Sequence, residues 1–524
     1  MYNQGLFYTW VPKPIMLLLL VVIALIYFGI SAIYTPNITY LVGSTGAMSE
    51  YYLWANYASV VGMGAVMPLV IRLKARFRTK EILVTSLTGI AFLFVVIGTT
   101  QQPQVIIGAS FLIGFLKMLG MMEVLLPLMF ILAKDGNRGR FYSIFYTAVL
   151  IVTQTSGYYI TKISYYANWQ FGYLFYASIC LIGAMLCLLF QHNQRFMRKV
   201  PLYYIDWISM LLYSSAFLIL GYVLAFGKQQ NWFESDQIKY ASLLFIGLIF
   251  VFFLRQQVLT RPFLSLKAFK KNNVRHGIIM LLFLGMYLAT ASLQNTFAMG
   301  VLGYNALTNA SLNMMMIPGL LAGAILAYNW FNRLIPIRLL LFTGFASFML
   351  YTVMMYFYMV PELNYNLWLL PQFFKGMGMS ILFIVIWYYT LDKLDIPSLL
   401  SLIGFVLLWR TFISLGIFSA LFSWFQYQLQ LQSLSNMAVY LDDVALAQAG
   451  GDFKLSVIQL NAILAANKII FGCINILGIG ILLYTLFHHF GRTKDVLTRI
   501  HMTKLGQLWM SNKDKEKIED ELQG

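Results

Sequence analysis

In a chain of 524 residues with 60% hydrophobic and only 10% charged side chains, a water-surrounded core cannot absorb the apolar surface. A soluble globular protein is excluded, and lipid must be the solvent for much of the exterior. The net charge of +17, which in a soluble protein would point to nucleic acid, is concentrated in particular loops here and reads as membrane topology, so no nucleic-acid partner is expected.

A spanning helix needs about 20 mostly apolar residues to cross about 30 Å of hydrocarbon. Fourteen stretches qualify, roughly 15–36, 51–71, 82–100, 104–132, 141–161, 170–190, 205–226, 239–256, 276–298, 307–330, 337–359, 366–391, 397–424 and 464–488. The first, from Ile15, is followed by no small-residue cleavage pattern, so it is expected to be the first helix and not a removable signal peptide. Cys180, Cys187 and Cys473 all fall in apolar runs, against a disulfide framework.

The loops between these stretches alternate in charge. One side collects Lys13, Arg72 to Lys80, Lys134 to Arg140, Arg195 to Lys199, Arg255 to Arg275, Arg333, Arg338, Lys393 and the tail, which is 28 of the 36 Lys and Arg. The other side holds Lys162, Lys228, Lys239 and Lys454 with acids such as Glu50, Glu234 and Asp236. By the positive-inside rule the basic side is cytoplasmic, and both termini with it, which fits a multi-pass protein of a bacterial inner membrane.

A weak repeat joins the two ends of the chain: Phe115-Leu116-Lys117-Met118-Leu119-Gly120-Met121 in the fourth span resembles Phe373-Phe374-Lys375-Gly376-Met377-Gly378-Met379 in the twelfth. The expected plan is an all-α membrane protein with a six-helix bundle over 1–190, a two-helix insertion over 191–275, a second six-helix bundle over 276–488 and a tail over 489–524. An outer loop over 425–463 is expected to form amphipathic helices, and the tail places Leu497, Ile500, Leu505, Leu508 and Trp509 near one helical face.

The chain resembles the fourteen-helix drug:proton antiporter family of the major facilitator superfamily along nearly its whole length. The resemblance is carried by Asp206-Trp207, Gly227 to Trp232, Pro262-Phe263-Leu264-Ser265-Leu266, Val301 to Leu307 leading to Pro318, Arg138-Gly139, Trp169, and Arg410 to Gly416. It implies the major facilitator fold and antiport of an amphiphile. The chain departs from the family's pattern in its charged motifs. The loop between spans two and three has Ile71, Ala75 and Arg78 where the family has Gly, Asp and Gly. The fifth-span motif reads Ser156-Gly157-Tyr158-Tyr159-Ile160-Thr161, and the first-span acidic position holds Tyr27.

A charge at membrane depth costs about 2.5 to 3.5 kcal/mol on insertion scales, so each one within a span is a candidate site residue. Glu123, counted back from Ala133, falls near the midplane, where it either carries a coupled proton or pairs with a base from another helix. Lys117 and Lys375 fall in the outer half and either snorkel outward or line a cavity. Arg410, about 20 Å deep, binds a substrate anion or backbone carbonyls. Lys468 opens the last span and is expected to snorkel, while Tyr27 and Gln154 are the further polar groups of the candidate path.

Four bases against one acid suit a neutral or anionic amphiphile better than a cationic one. No metal-ligand pattern, nucleophile cluster or phosphate loop stands out, so neither an enzyme nor a cofactor is expected. The expected function is proton-coupled export by alternating access, with lipid, protons and an amphiphilic small molecule as partners. Two alternatives stay open: a larger envelope assembly with a periplasmic adaptor protein docked on the 425–463 loop, and import of an anion.

Overall fold

The computed structural model describes residues 6–30, 37–132, 138–193, 205–259, 262–333, 335–392, 394, 396–438 and 455–488. Among them the chain is helical, apart from a lone bridge between Phe7 and Gln191. Besides a short helix over Ile38–Thr45 and brief 3-10 turns, the helices are α1 Lys13–Gly29, α2 Ser49–Arg76, α3 Thr79–Thr99, α4 Pro103–Leu132, α5 Arg138–Tyr166, α6 Trp169–Phe190, α7 Trp207–Phe226 and α8 Asp236–Val258. They continue with α9 Asn272–Val301, α10 Ala306–Asn332, α11 Ile337–Tyr358, α12 Tyr365–Thr390, α13 Ile396–Ala438 and α14 Leu455–Phe487. The tail from 489 and residues 439–454 of the outer loop lie outside the described residues.

Twelve of these helices are long and apolar enough to cross a membrane, against the fourteen expected. The two others fall on expected spans but differ from them. Helix α1 has only 17 residues, Lys13–Gly29, with Ile30 as its C-cap. Helix α5 is long enough at 29 residues but too polar, since Ser143, Thr147, Thr153, Thr161 and Ser164 punctuate it. Their hydroxyls donate to carbonyls one turn back, which is how a helix tolerates them away from water.

The helix ends follow local chemistry. Thr79 opens α3 behind Arg78, whose backbone N–H donates to Glu81 at 3.0 Å. Asp206 caps α7 by accepting from the Ser209 N–H at 3.1 Å, and its carboxylate also takes Arg255 of α8 at 3.0 Å. Burial alone would raise the Asp206 pKa, but the hydrogen bonds from Ser209 and the Arg255 guanidinium outweigh it and hold the carboxyl below the usual aspartate range. Gln256 adds a second tie to Ser209 at 2.8 Å, so α7 and α8 form one pinned pair.

Packing reproduces the repeat seen in the sequence. In the first half the principal neighbours are α1 with α4, α5 and α6, α2 with α4, α3 with α4 and α6, and α5 with α6. Adding eight to every number gives the neighbours of the second half: α9 with α12, α13 and α14, α10 with α12, α11 with α12 and α14, and α13 with α14. Close approach by glycine recurs too. A Cβ on Gly114 of α4 would collide with the Ser59 carbonyl oxygen, and one on Gly376 of α12 with that of Met316. The α7–α8 pair attaches outside this scheme, with α7 against α2 and α13.

Two helices carry π turns, Thr296–Val301 in α9 and Trp409–Gly416 in α13. No residue pattern announced them. Helix α14, at 33 residues and about 50 Å, exceeds the ~30 Å core and packs along α13, where Gln426 Nε2 donates to Asn467 Oδ1 at 2.7 Å.

Candidate functional site: the seam between the helical units

The two halves meet where α5 lies against α10 and α12, and where α2 lies against α13. At the basic end this seam is shut. Gly139 of α5 is packed directly on the Phe331 ring, Phe331 contacts Tyr388 with ring centroids 4.7 Å apart, and Arg140 Nε donates to Asn332 Oδ1. Across the molecule, a Cβ on Gly404 of α13 would come within 2.8 Å of the Gly64 carbonyl oxygen of α2.

Immediately above this closed end lies an aromatic cluster. Tyr146 of α5 stacks on Trp387 of α12 at 5.7 Å and approaches Phe383 at 6.3 Å, while Thr147 and Ser380 share a hydroxyl contact of 3.3 Å across the seam. Arg410 sets its guanidinium over the Phe383 ring at 5.2 Å and makes no hydrogen bond or ion pair to a described residue. The π turn that begins beside it, at Trp409, is a common feature of functional sites, since the extra residue per turn re-aims side chains. The Trp387 indole N–H is buried without a partner, a second donor left open near the same ring. The arrangement offers donors and aromatic faces but no carboxylate, which matches an acceptor-bearing, partly aromatic molecule.

The two repeat-related lysines are buried, not snorkelled. Lys375 is 4% exposed, its Nζ donating to Gln294 Oε1 of α9 at 2.7 Å and lying 5.1 Å from the Tyr351 ring centre of α11. The Tyr351 hydroxyl donates to the same Gln294 oxygen at 3.1 Å. Lys117 is 2% exposed and lies fourteen residues from the start of α4, about 21 Å down and nearer the midplane than the outer-half position expected. Lys468 rests over the Tyr356 ring at 5.3 Å.

Glu123 is also placed differently from the sequence expectation. Its Oε2 accepts from Thr79 Oγ1 at 2.8 Å and pairs with Lys74 Nζ at 3.0 Å, the carboxylate fully buried and the lysine 19% exposed. Thr79 is the first residue of α3, and Glu123 and Thr79 each lie twenty residues, about 30 Å, from the turn joining α3 to α4. The carboxylate therefore sits at the basic end. The midplane count failed because α4, at 30 residues, overshoots the hydrocarbon.

Tyr27 lies in the core of the first half, 0% exposed, its hydroxyl 2.6 Å from Ser86 Oγ and pressed on Gly120. It is apart from Arg410. Gln154 is half-buried on α5, two turns beyond Tyr146. The structure thus brings together Arg410 with Tyr146, Phe383 and Trp387, and Lys375 with Gln294 and Tyr351. Apart from Arg410 and Lys375 these residues look like ordinary core in the sequence. Lys74 read as one more topological base.

Among solved structures the chain is similar to a nucleoside transporter, NupG, with a TM-score of 0.53 at 11% identity, covering 90% of this chain and 99% of that one. It is similar to a peptide transporter, POT, captured with alafosfalin, with a TM-score of 0.56 at 15% identity, covering 94% and 97%. Tetrameric PepTSo2 gives 0.54 at 12%, covering 90% and 96%. At these identities the likeness is one of fold. No curated protein sequence matches. The profile described as Major Facilitator Superfamily matches residues 19–418, most of the chain, and the chain therefore belongs to the Major Facilitator Superfamily, as a membrane transporter and not an enzyme.

Proposed function

We propose that this secondary transporter exports an amphiphilic neutral or anionic small molecule by alternating access, driven by protons, across a bacterial cytoplasmic membrane. In this reading α1 and α5 also span, giving fourteen helices with both termini on the basic, cytoplasmic side. Residues 1–190 and 276–488 are the two units that rock about the seam, and 191–275 is the inserted pair. The packing pattern repeated at a shift of eight helices supports that division.

One observation carries the substrate class. Arg410, a residue that stays charged in proteins, lies at the seam over Phe383 beside Tyr146 and Trp387, with no acid among the described residues to neutralise it. A molecule with an acceptor or negative group and an apolar body would satisfy both features. That a nucleoside transporter and a peptide transporter share this fold supports a reading in which the cargo carries a polar group. The test is transport by purified protein in proteoliposomes with an imposed pH gradient, using anilinonaphthalene sulfonate, Nile red and ethidium as anionic, neutral and cationic amphiphiles. Gradient-dependent movement of the anionic or neutral probe, with little of the cation, is expected. Movement of ethidium alone would overturn the reading.

A further inference from the structure

Proton-driven transport requires a group that gains and loses a proton inside the membrane, and the one acid within a described span that sequence analysis advanced for this is already engaged. Glu123 is held by Lys74 and Thr79 at the basic end. Lys375 is in a different position. It lies ten residues into α12, about 15 Å from the end of that helix, buried between α9 and α11.

Among the described residues its surroundings hold no fixed counter-charge. From α9 it meets Gln294, the nearest titratable residue of that helix being Tyr287 two turns away; from α11 it meets Tyr351, which is itself bonded to Gln294. Helix α10 carries only Tyr328, near its basic end, and α5 meets α12 through Tyr142 and Tyr146 beside Tyr388, Phe383 and Trp387, about two to four turns below. Tyr365, at the start of α12, is bonded to Ser311. The remaining charges of these helices, Arg275, His276, Arg338, Arg138, Arg140 and Lys162, stand at helix ends. An ammonium has three N–H donors, and here Gln294 Oε1 is the one acceptor it reaches among the described residues.

The neutral amine has one donor fewer and a lone pair. One turn up the same face, both amide atoms of Gln372 are buried without partners, so a donor and an acceptor are held in reserve beside the lysine. The neighbourhood thus offers hydrogen-bonding capacity to either protonation form and commits to neither. The sequence repeat places Lys117 at the matching position of α4 in the other half.

We propose that Lys375 is the residue that takes up and releases the coupled proton, with Gln294 and Tyr351 as its holder. In the charged form Nζ carries three protons and donates to Gln294. On release one proton passes to water in whichever side of the seam is open, the C–N bond is untouched, and the amine nitrogen keeps the electron pair as an acceptor. The cycle exchanges one proton per lysine with no other reactant. This inference rests on the proton-coupled transport proposed above.

The test compares the parent with Lys375→Gln and Lys375→Arg in proteoliposomes, reading gradient-driven accumulation of anilinonaphthalene sulfonate and, separately, its counterflow without a gradient. Both variants should lose about tenfold or more of driven accumulation, with counterflow within about twofold of the parent. Counterflow by the parent should change between acid and alkaline buffer, and that by Lys375→Gln should not. A variant that accumulates the probe like the parent overturns the assignment, as does equal loss of both activities in the two variants at normal protein level, which is the signature of a structural role. A parent that shows counterflow but no gradient-driven accumulation defeats the proton-coupled reading itself and not the residue assignment alone.

Discussion

Replacing Arg410 by glutamine is expected to weaken handling of an anionic amphiphile by roughly ten- to hundredfold while changing that of a neutral one by no more than about threefold. A hydrogen bond to a charged group contributes about 1.5 to 3 kcal/mol, and each 1.4 kcal/mol is tenfold in affinity. The guanidinium makes no ion pair with a described residue, so removing it strands no buried carboxylate, and folding should survive. The measurement is the concentration dependence of uptake for both probes in proteoliposomes. A Lys at the same position should recover only part of the loss, because the planar fork over Phe383 is not reproduced by an ammonium. Equal losses for the anionic and the neutral probe would mean that Arg410 supports the helix and not the substrate.

Glu123→Gln separates two roles. The ion pair joins the basic end of α2 to α4 across the start of α3, and a neutral amide leaves Lys74 without a charge partner. Because Lys74 is partly exposed and can turn to water, the cost is expected to be about 1–3 kcal/mol, below that for a fully buried pair. Thermal unfolding in detergent should shift down, and driven accumulation and counterflow should fall together. Loss of driven accumulation alone, with unchanged stability, would return the proton to Glu123.

Much of the fold was legible because lipid constrains sequence so strongly. Every backbone polar group in hydrocarbon must be satisfied within a helix, so spans appear as apolar runs and their flanks as alternating charge. The match between Phe115 to Met121 and Phe373 to Met379 was a faint trace of equivalence between α4 and α12, and the packing of their neighbours repeats with it. Length was less legible than identity. Helix α4 runs past the bilayer, so counting residues from its end put Glu123 a membrane half away from Lys74. Helix α5 fell below the apolarity of a lipid-facing span because it lies on the seam, where hydroxyls such as Thr147 meet Ser380.

The candidate site was legible only in its charges. Arg410, Lys117 and Lys375 stand out because a base within a span is costly. Their companions do not: Gln294, Tyr351, Tyr146, Phe383 and Trp387 are residues any transmembrane core contains, and only tertiary packing selects them. The π turn at Trp409–Gly416 has no residue signature at all, since an i to i+5 hydrogen bond can form in any non-proline backbone.

The central claim is that the two helical units rock about the seam so that one end opens as the other closes. It is tested most directly by distances between paired spin labels at the two ends. One pair replaces Arg138 and Arg333, exposed at the basic ends of α5 and α10, and the other replaces Tyr166 and Asn305 at the opposite ends. Adding substrate under a pH gradient should lengthen the first distance and shorten the second in the same sample, as Phe331 leaves Gly139 and Tyr388. Distances that stay fixed at both ends while transport proceeds would contradict the account.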